Sequence, residues 1–177
     1  MNFDIKDFKN PYLKDLDEYR HMYEKSVTDP SSFFLEHALK ELDWFEKPSV
    51  GYSGKITKPT WFRDGVLNIS HNCIDRHAAK NPNKTAIIWQ GDEKENTKNI
   101  SYDQLLIEVS KLANGLKSIG VKKGDRVCIY MPMIPEAAYS MLACMRIGAI
   151  HSVVFGGFSP EAISSRILDS DCQYVIT

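Results

Sequence analysis

The sequence has no stretch approaching the roughly 18 uninterrupted apolar residues that a membrane-spanning helix needs. Its amino terminus, MNFDIKDFKNPYLKDLDEY, mixes acids with bases and shows no apolar run behind a basic start. That is neither the layout of a secretory signal nor the acid-poor composition of a transit peptide. Cysteine is sparse: Cys73, Cys128, Cys144 and Cys172 are widely scattered and form no Cys-x-x-Cys pair. Cys128 and Cys144 lie inside apolar runs, where a thiol acts as a small buried hydrophobe of a reducing compartment. An excess of one charge is also missing. The formal net charge of −1 argues against a protein that holds nucleic acid through a basic surface. There is no internal repeat and no low-complexity tract. These absences predict a cytoplasmic protein with neither nucleic acid nor membrane as a partner, and they leave the oligomeric state open.

What is present is an ordinary globular composition, 43% hydrophobic and 25% charged over 177 residues. That length supports one good-sized domain with a buried core and is short for two. Residues 13–46 read as two helices. Leu13, Leu16, Tyr19 and Tyr23 are spaced for the first. In TDPSSFFLEHALKELDWF, Ser31 or Ser32 suits an N-cap, with Phe34, Ala38, Leu42 and Phe45 on one stripe. KPSVGYSGKITKP, with Pro48, Gly51, Gly54 and Pro59, reads as a linker or wandering loop.

From Trp61 the pattern changes. GVLNISHNCIDRHAAKNPN predicts a short strand or turn leading into a helix that ends before Pro82. TAIIWQGD (85–92) reads as a strand closed by a turn, and DEKENTKN as a hairpin or loop. Ser101 begins a helix whose stripe is Leu105, Val109, Leu112, Leu116 and Ile119, stopped by Gly120. A regular alternation follows. DRVCIYM (125–131) is a strand apolar enough for burial on both faces, and Pro135-Glu136 opens a helix that stops near Gly148. AIHSVVF, PEAISSRILDS and QYVIT are then strand, helix and strand. Strands separated by single helices predict right-handed βαβ units and a parallel sheet. The fold class is therefore α/β: a helical and extended docking segment over 1–60, then an incomplete, helix-covered parallel sheet over 61–177. The chain stops at Thr177 at the end of an apolar strand with no helix to cover it, which is expected of a piece of a longer protein.

Candidate chemistry concentrates at VVFGGFSPEAISSRI (153–167). Gly156-Gly157 follows the carboxyl end of a strand and precedes a helix, the edge at which open α/β sheets bind ligands. Two glycines let a ligand approach the backbone, Phe155 offers a ring for a base to stack on, and Ser159-Pro160 suits a helix start. The pair is neither part of a G-x-G-x-x-G fingerprint nor followed by Gly-Lys-Ser/Thr, so on pattern alone a connecting turn with positive φ stands slightly ahead of a ligand site. Elsewhere, Cys73 and His77 share the four-residue spacing of a zinc site, but no second pair exists. Ser70 or Asn72 capping a helix, beside surface charges, explains SHNCIDRH more simply. His151 in its apolar strand reads as a hydrogen-bonded core histidine, since the glycine-flanked serine of a hydrolase is absent. Glu136 and Asp125 read as element ends rather than a catalytic pair. Trp44, Trp61 and Trp89 read as packing residues, with Phe33, Phe34, Phe45 and Phe62.

KKGDRVCIYMPMIPEAAYSMLACMRIGAIHSVVFGGFSPEAISSRILDSDCQYVIT closely resembles the acetyl-CoA synthetases, AMP-forming acetate–CoA ligases of the adenylate-forming superfamily. The likeness extends to LNISHNCIDRH, TAIIWQGD and YEKSVTDPSSFFLEHALKELDWF, and so covers nearly the whole chain from about residue 12. It implies the first part of the large N-terminal domain of that fold. It also implies a two-step reaction: ATP and acetate give acetyl-adenylate and pyrophosphate, and the CoA thiol then displaces AMP. Mg2+ would accompany ATP. The family's Phe-Gly-Gly, which lies against the adenine end of CoA, matches Phe155, Gly156 and Gly157. The family's phosphate loop, acyl pocket, CoA-phosphate arginines and catalytic lysine have no counterpart within the 177 residues, so no residue here inherits a catalytic role. Propionyl-CoA synthetases share IYMPMIPEA and HSVVFGGF, so propionate is the alternative acyl substrate, and a non-catalytic binding remnant is the alternative from another class. Residues 1–177 alone are expected to support no ATP–pyrophosphate exchange with acetate. Isotope exchange above background would refute this.

Overall fold

The computed structural model describes residues 12–177. Residues 1–11, where the stretch read for targeting signals begins, lie outside the described residues. Contacts divide the chain into two compact units, one ending at Leu67 and the other running from Asn68 to Thr177.

In the first unit, helix α1 (Leu16–Thr28) starts where the Asp15 carboxylate accepts the Glu18 N–H at 2.8 Å. Helix α2 (Pro30–Glu41) is capped by Asp29, which accepts the Ser32 N–H at 3.1 Å, and not by Ser31 or Ser32. Pro30 explains the difference: it lacks an N–H and its fixed φ fits the first helical position, which moves the cap one residue upstream of it. The expected apolar stripe is short. Ala38 is buried, Leu42 is already the C-cap and Phe45 is 63% exposed.

The expected linker instead contains an antiparallel hairpin, β1 (Tyr52–Lys55) with β2 (Lys58–Trp61). Long-range contacts hold it. The Trp61 ring packs on Tyr52 and Phe34, with centroids 4.8 and 5.2 Å apart, and the Tyr52 N–H donates to Ser31 Oγ at 3.1 Å. Trp44 donates its indole N–H to the Ala38 carbonyl at 2.9 Å, so both tryptophans of this unit are packing residues.

The second unit opens with Asn68, whose side-chain oxygen accepts the His71 N–H at 3.1 Å. Asn68 thus does the capping expected of Ser70 or Asn72. A π-helical turn (His71–Asp75) runs into α3 (Arg76–Lys80). The turn faces one partner, Arg146. Its guanidinium grips the Asp75 carboxylate at 2.8 and 2.6 Å and donates to Ser70 Oγ at 3.1 Å. Asn68 adds bonds from its amide to the Met145 and Arg146 carbonyls, both at 3.2 Å.

Strands β3 (Thr85–Gln90) and β4 (Thr97–Ser101) form a second antiparallel hairpin. Ser101 then caps α4 (Tyr102–Ser118) in a reciprocal box with Gln104, satisfying two N–H groups at once. Leu105, Val109 and Leu116 face inward as expected. Ile119 does not: it lies past the helix end and is 65% exposed.

The parallel sheet has the order β6–β5–β7, with β5 (Arg126–Met131) central, β6 (Ile150–Phe155) on one side and β7 (Tyr174–Ile176) on the other. Helices α5 (Pro135–Ile147) and α6 (Pro160–Ser170) make the crossovers. α5 ends in Gly148 at φ +75°, a left-handed conformation that a side chain would strain. The two crossovers step in opposite directions, so right-handed connections place α5 and α6 on opposite faces. Alternation along β5 agrees: Val127 and Ile129 join the core beneath α4 and α5, and Cys128 turns the other way. Each fully buried aliphatic side chain there contributes roughly 1.5–3 kcal/mol. Cys128 and Cys144 are buried as expected, and burial pushes the Cys144 thiol up to about 11.

Burial alone would raise the Asp75 pKa. The hydrogen bonds and charge of Arg146 outweigh it and hold the carboxyl below its ordinary value. Asp75 therefore stabilises the fold at neutral pH, and that contribution disappears as pH falls through its depressed folded-state pKa, below about 4. Asp75→Asn leaves Arg146 part-buried without its counter-charge. It should lower stability by roughly 1–3 kcal/mol, between the cost of breaking an exposed pair and a buried one. Urea titrations at pH 7 should show the gap, and the two proteins should converge under strongly acidic conditions.

Candidate functional site

The carboxyl edge of the sheet carries two turns. One, Pro132–Ile134, leaves β5; the other, Phe155–Ser159, leaves β6. Since β6 and β7 flank β5, the direction of winding reverses between β5 and β7, and the crevice at such a reversal is the usual ligand position in open α/β sheets. The Phe155-Gly156-Gly157 turn stands at the same edge, at the end of the outer strand β6.

The turn is tied down. Gly156 N–H donates to the Met131 carbonyl at 3.1 Å, and Phe158 N–H closes the turn onto the Phe155 carbonyl at 3.0 Å. The Tyr130 hydroxyl lies 2.9 Å from the Gly156 carbonyl and 3.2 Å from that of Phe158. The Phe155 and Phe158 rings meet edge-to-face at 6.3 Å, each about half exposed, and the Arg166 guanidinium lies 5.4 Å from the Phe158 ring. Ser159 caps α6 through the Ala162 N–H at 3.4 Å, with Pro160 in its first turn. On the neighbouring turn, Trp89 donates its indole N–H to the Met133 carbonyl at 2.7 Å.

The glycines have a different cause from the positive φ considered for them. Neither Gly156 nor Gly157 is among the residues at positive φ. Gly156 is needed for close approach: a Cβ there would stand 3.1 Å from Pro132 N and 3.3 Å from the Met131 carbonyl carbon, both backbone atoms. At Gly157 the obstacle is only the Phe155 ring, 3.0 Å away.

The other sequence candidates separate from this edge. Asp75 is committed to Arg146 and Cys73 is exposed. Among the described residues no group of three or more His, Cys, Asp or Glu side chains could hold a metal ion. His151 is half-buried, which lowers its pKa, but it makes no side-chain hydrogen bond within the described residues, contrary to the hydrogen-bonded histidine expected. A cavity of about 600 Å³, lined by Asn114, Lys117, Lys122 and Lys123 among others, opens beside the turn that leads into β5. It shares no residue with the glycine turn. Tyr130 was not singled out from the sequence, and Trp89 was read only as a packing residue. The available signal was a hydroxyl-bearing residue at the end of β5, just before a proline turn.

Residues 74–177, more than half of the chain, match the family described as AMP-binding enzyme, and the chain belongs to that family. Residues 19–73 match the family described as acetyl-coenzyme A synthetase N-terminus. The chain is 54% identical over 172 residues to an acetyl-coenzyme A synthetase of Gamma-proteobacterium EBAC31A08, covering 97% of this chain and 27% of that protein. It is likewise 54% identical over 168 residues to acetyl-coenzyme A synthetase 2 of Pseudomonas aeruginosa, covering 94% and 26%. An acetyl-coenzyme A synthetase of Sinorhizobium medicae is 54% identical over 173 residues, covering 96% and 26%. The chain thus spans about a quarter of the length of these curated relatives. Among the described residues no helix is long and apolar enough to cross a membrane.

Gly156→Ala should therefore be the costlier of the two alanine substitutions, since backbone must shift to admit the methyl, at roughly 1–3 kcal/mol. Gly157→Ala should cost less, because the exposed Phe155 ring can rotate away. Paired urea melts would show the order, and a reversed order would contradict this account of the turn.

Proposed function

We propose that the chain forms the N-terminal part of an acetate–CoA ligase, and that its Phe155-Gly156-Gly157 turn faces the adenine of CoA. The chemistry has two steps. Acetate attacks the α-phosphorus of ATP, giving acetyl-adenylate and releasing pyrophosphate; the CoA thiol then attacks the acyl carbon, forming the thioester and releasing AMP. No side chain described here is assigned to either bond change. Mg2+ belongs with the ATP phosphates, and the described residues supply no ligand cluster for it. The place of action is the cytoplasm.

The observation that carries the reading is the exposed Phe155 ring above a side-chain-free backbone at the carboxyl edge. An aromatic face on a turn whose glycines add no side chains suits a flat purine, which gains about 1–3 kcal/mol by stacking. The three synthetases above support the choice of acetate and CoA as substrates.

The test separates the two half-reactions in the full-length protein. Gly157→Val drives a branched side chain against the Phe155 ring, which a Cβ there would already approach to 3.0 Å, and so displaces the face the purine would meet. It should impair thioester formation by about tenfold or more, and acetate-dependent ATP–pyrophosphate exchange by less. Equal losses in both would mean that the glycines only shape the fold.

A further inference from the structure

We infer that Tyr130 is a positioning residue for CoA: it acts through the Phe155–Phe158 turn and sets the height at which the Phe155 ring meets the adenine. The inference rests on the adenine-facing reading of that turn. Two adjacent glycines leave the turn without side chains of its own for bracing, and fixing a backbone residue in one conformation costs about 1–2 kcal/mol. The turn must borrow rigidity from a neighbour. Alternation along β5 points Tyr130 towards the face over which the chain passes from β6 to α6. Its single O–H proton is shared between two carbonyls, those of Gly156 at 2.9 Å and Phe158 at 3.2 Å. These carbonyls bracket Gly157, so one hydroxyl spans the part of the turn that carries least side chain. Trp89 restrains the adjoining Pro132–Ile134 turn through Met133, and Pro132 is the atom group that crowds Gly156. A purely space-filling role would not need the hydroxyl, and Tyr130 is only half-buried.

The experiment compares CoA with pantetheine, which carries the thiol but lacks the adenine nucleotide. In the full-length enzyme, Tyr130→Phe keeps the ring and removes the bond. Its kcat/KM for CoA should fall about tenfold, chiefly through KM, while kcat/KM for pantetheine changes less than twofold. Equal losses on both thiols, a loss of ATP–pyrophosphate exchange as large as the loss with CoA, or no loss with CoA would each overturn the inference. Phe155→Ala, measured alongside, locates the failure. If Phe155→Ala discriminates between the thiols and Tyr130→Phe does not, only the positioning role falls. If Phe155→Ala fails to discriminate, the adenine-facing reading falls and the positioning role with it.

Discussion

Strand β5 is hydrogen-bonded along both edges and buried on both faces, and most of the second unit is arranged by that constraint. Val127 and Ile129 give one face to the helices α4 and α5, and Cys128 and Tyr130 give the other to α6. A strand used on both faces cannot tolerate unpaired polar groups: Arg126 at its amino end bonds the Ser170 and Asp171 carbonyls, and Val127, Cys128 and Ile129 between the ends are apolar. Tyr130, next to the carboxyl edge, places its hydroxyl where it meets the carbonyls of Gly156 and Phe158. The same central position makes the crossovers leave in opposite directions, which creates the crevice between β5 and β7.

Local signals were strong enough to locate the elements around β5. Ser101 with Gln104, Pro135 and Gly148 are starts and stops that act within a few residues, so they can be read from composition and spacing. The β1–β2 hairpin could not be read in that way. Its segment has the prolines and glycines of a loop, and it becomes a hairpin because Trp61 packs on Phe34 and Tyr52 bonds Ser31, twenty or more residues away. The π-helical turn has a similar cause. Ser70 and Asp75 both reach Arg146, which lies more than seventy residues further along the chain. A cap at Asn68 and an extra-wide turn are how a short helix presents both groups to one guanidinium. The shift of the α2 cap to Asp29 was legible, since a proline belongs at the first position of a helix rather than before it.

At the candidate site, the sequence singled out Phe155, Gly156 and Gly157, and the structure gives the glycines a local cause other than the one expected. Adjacent glycines suggest positive φ, the commonest cause of glycine in a turn. Here both lie outside that region, and Gly156 is constrained by the backbone of another turn, at Pro132. Steric exclusion across strands leaves no local trace in sequence. The sequence therefore shows that side chains are unwelcome at 156 and 157 without showing what excludes them. Tyr130 was missed for the same reason, because its partners are 26 and 28 residues distant.

The glycine turn and the reversal crevice are neighbours on one edge but are built differently. The crevice between β5 and β7 is a consequence of winding order alone and would exist with almost any side chains. The turn on β6 depends on particular residues: no side chain at 156, a ring at 155 and a hydroxyl at 130. A site that follows from topology suits a ligand common to many relatives of a fold, whereas a site that depends on residues suits a distinguishing one. The contact proposed for the adenine of CoA belongs to the second kind of site, which makes it sensitive to single substitutions at 130, 155 and 156.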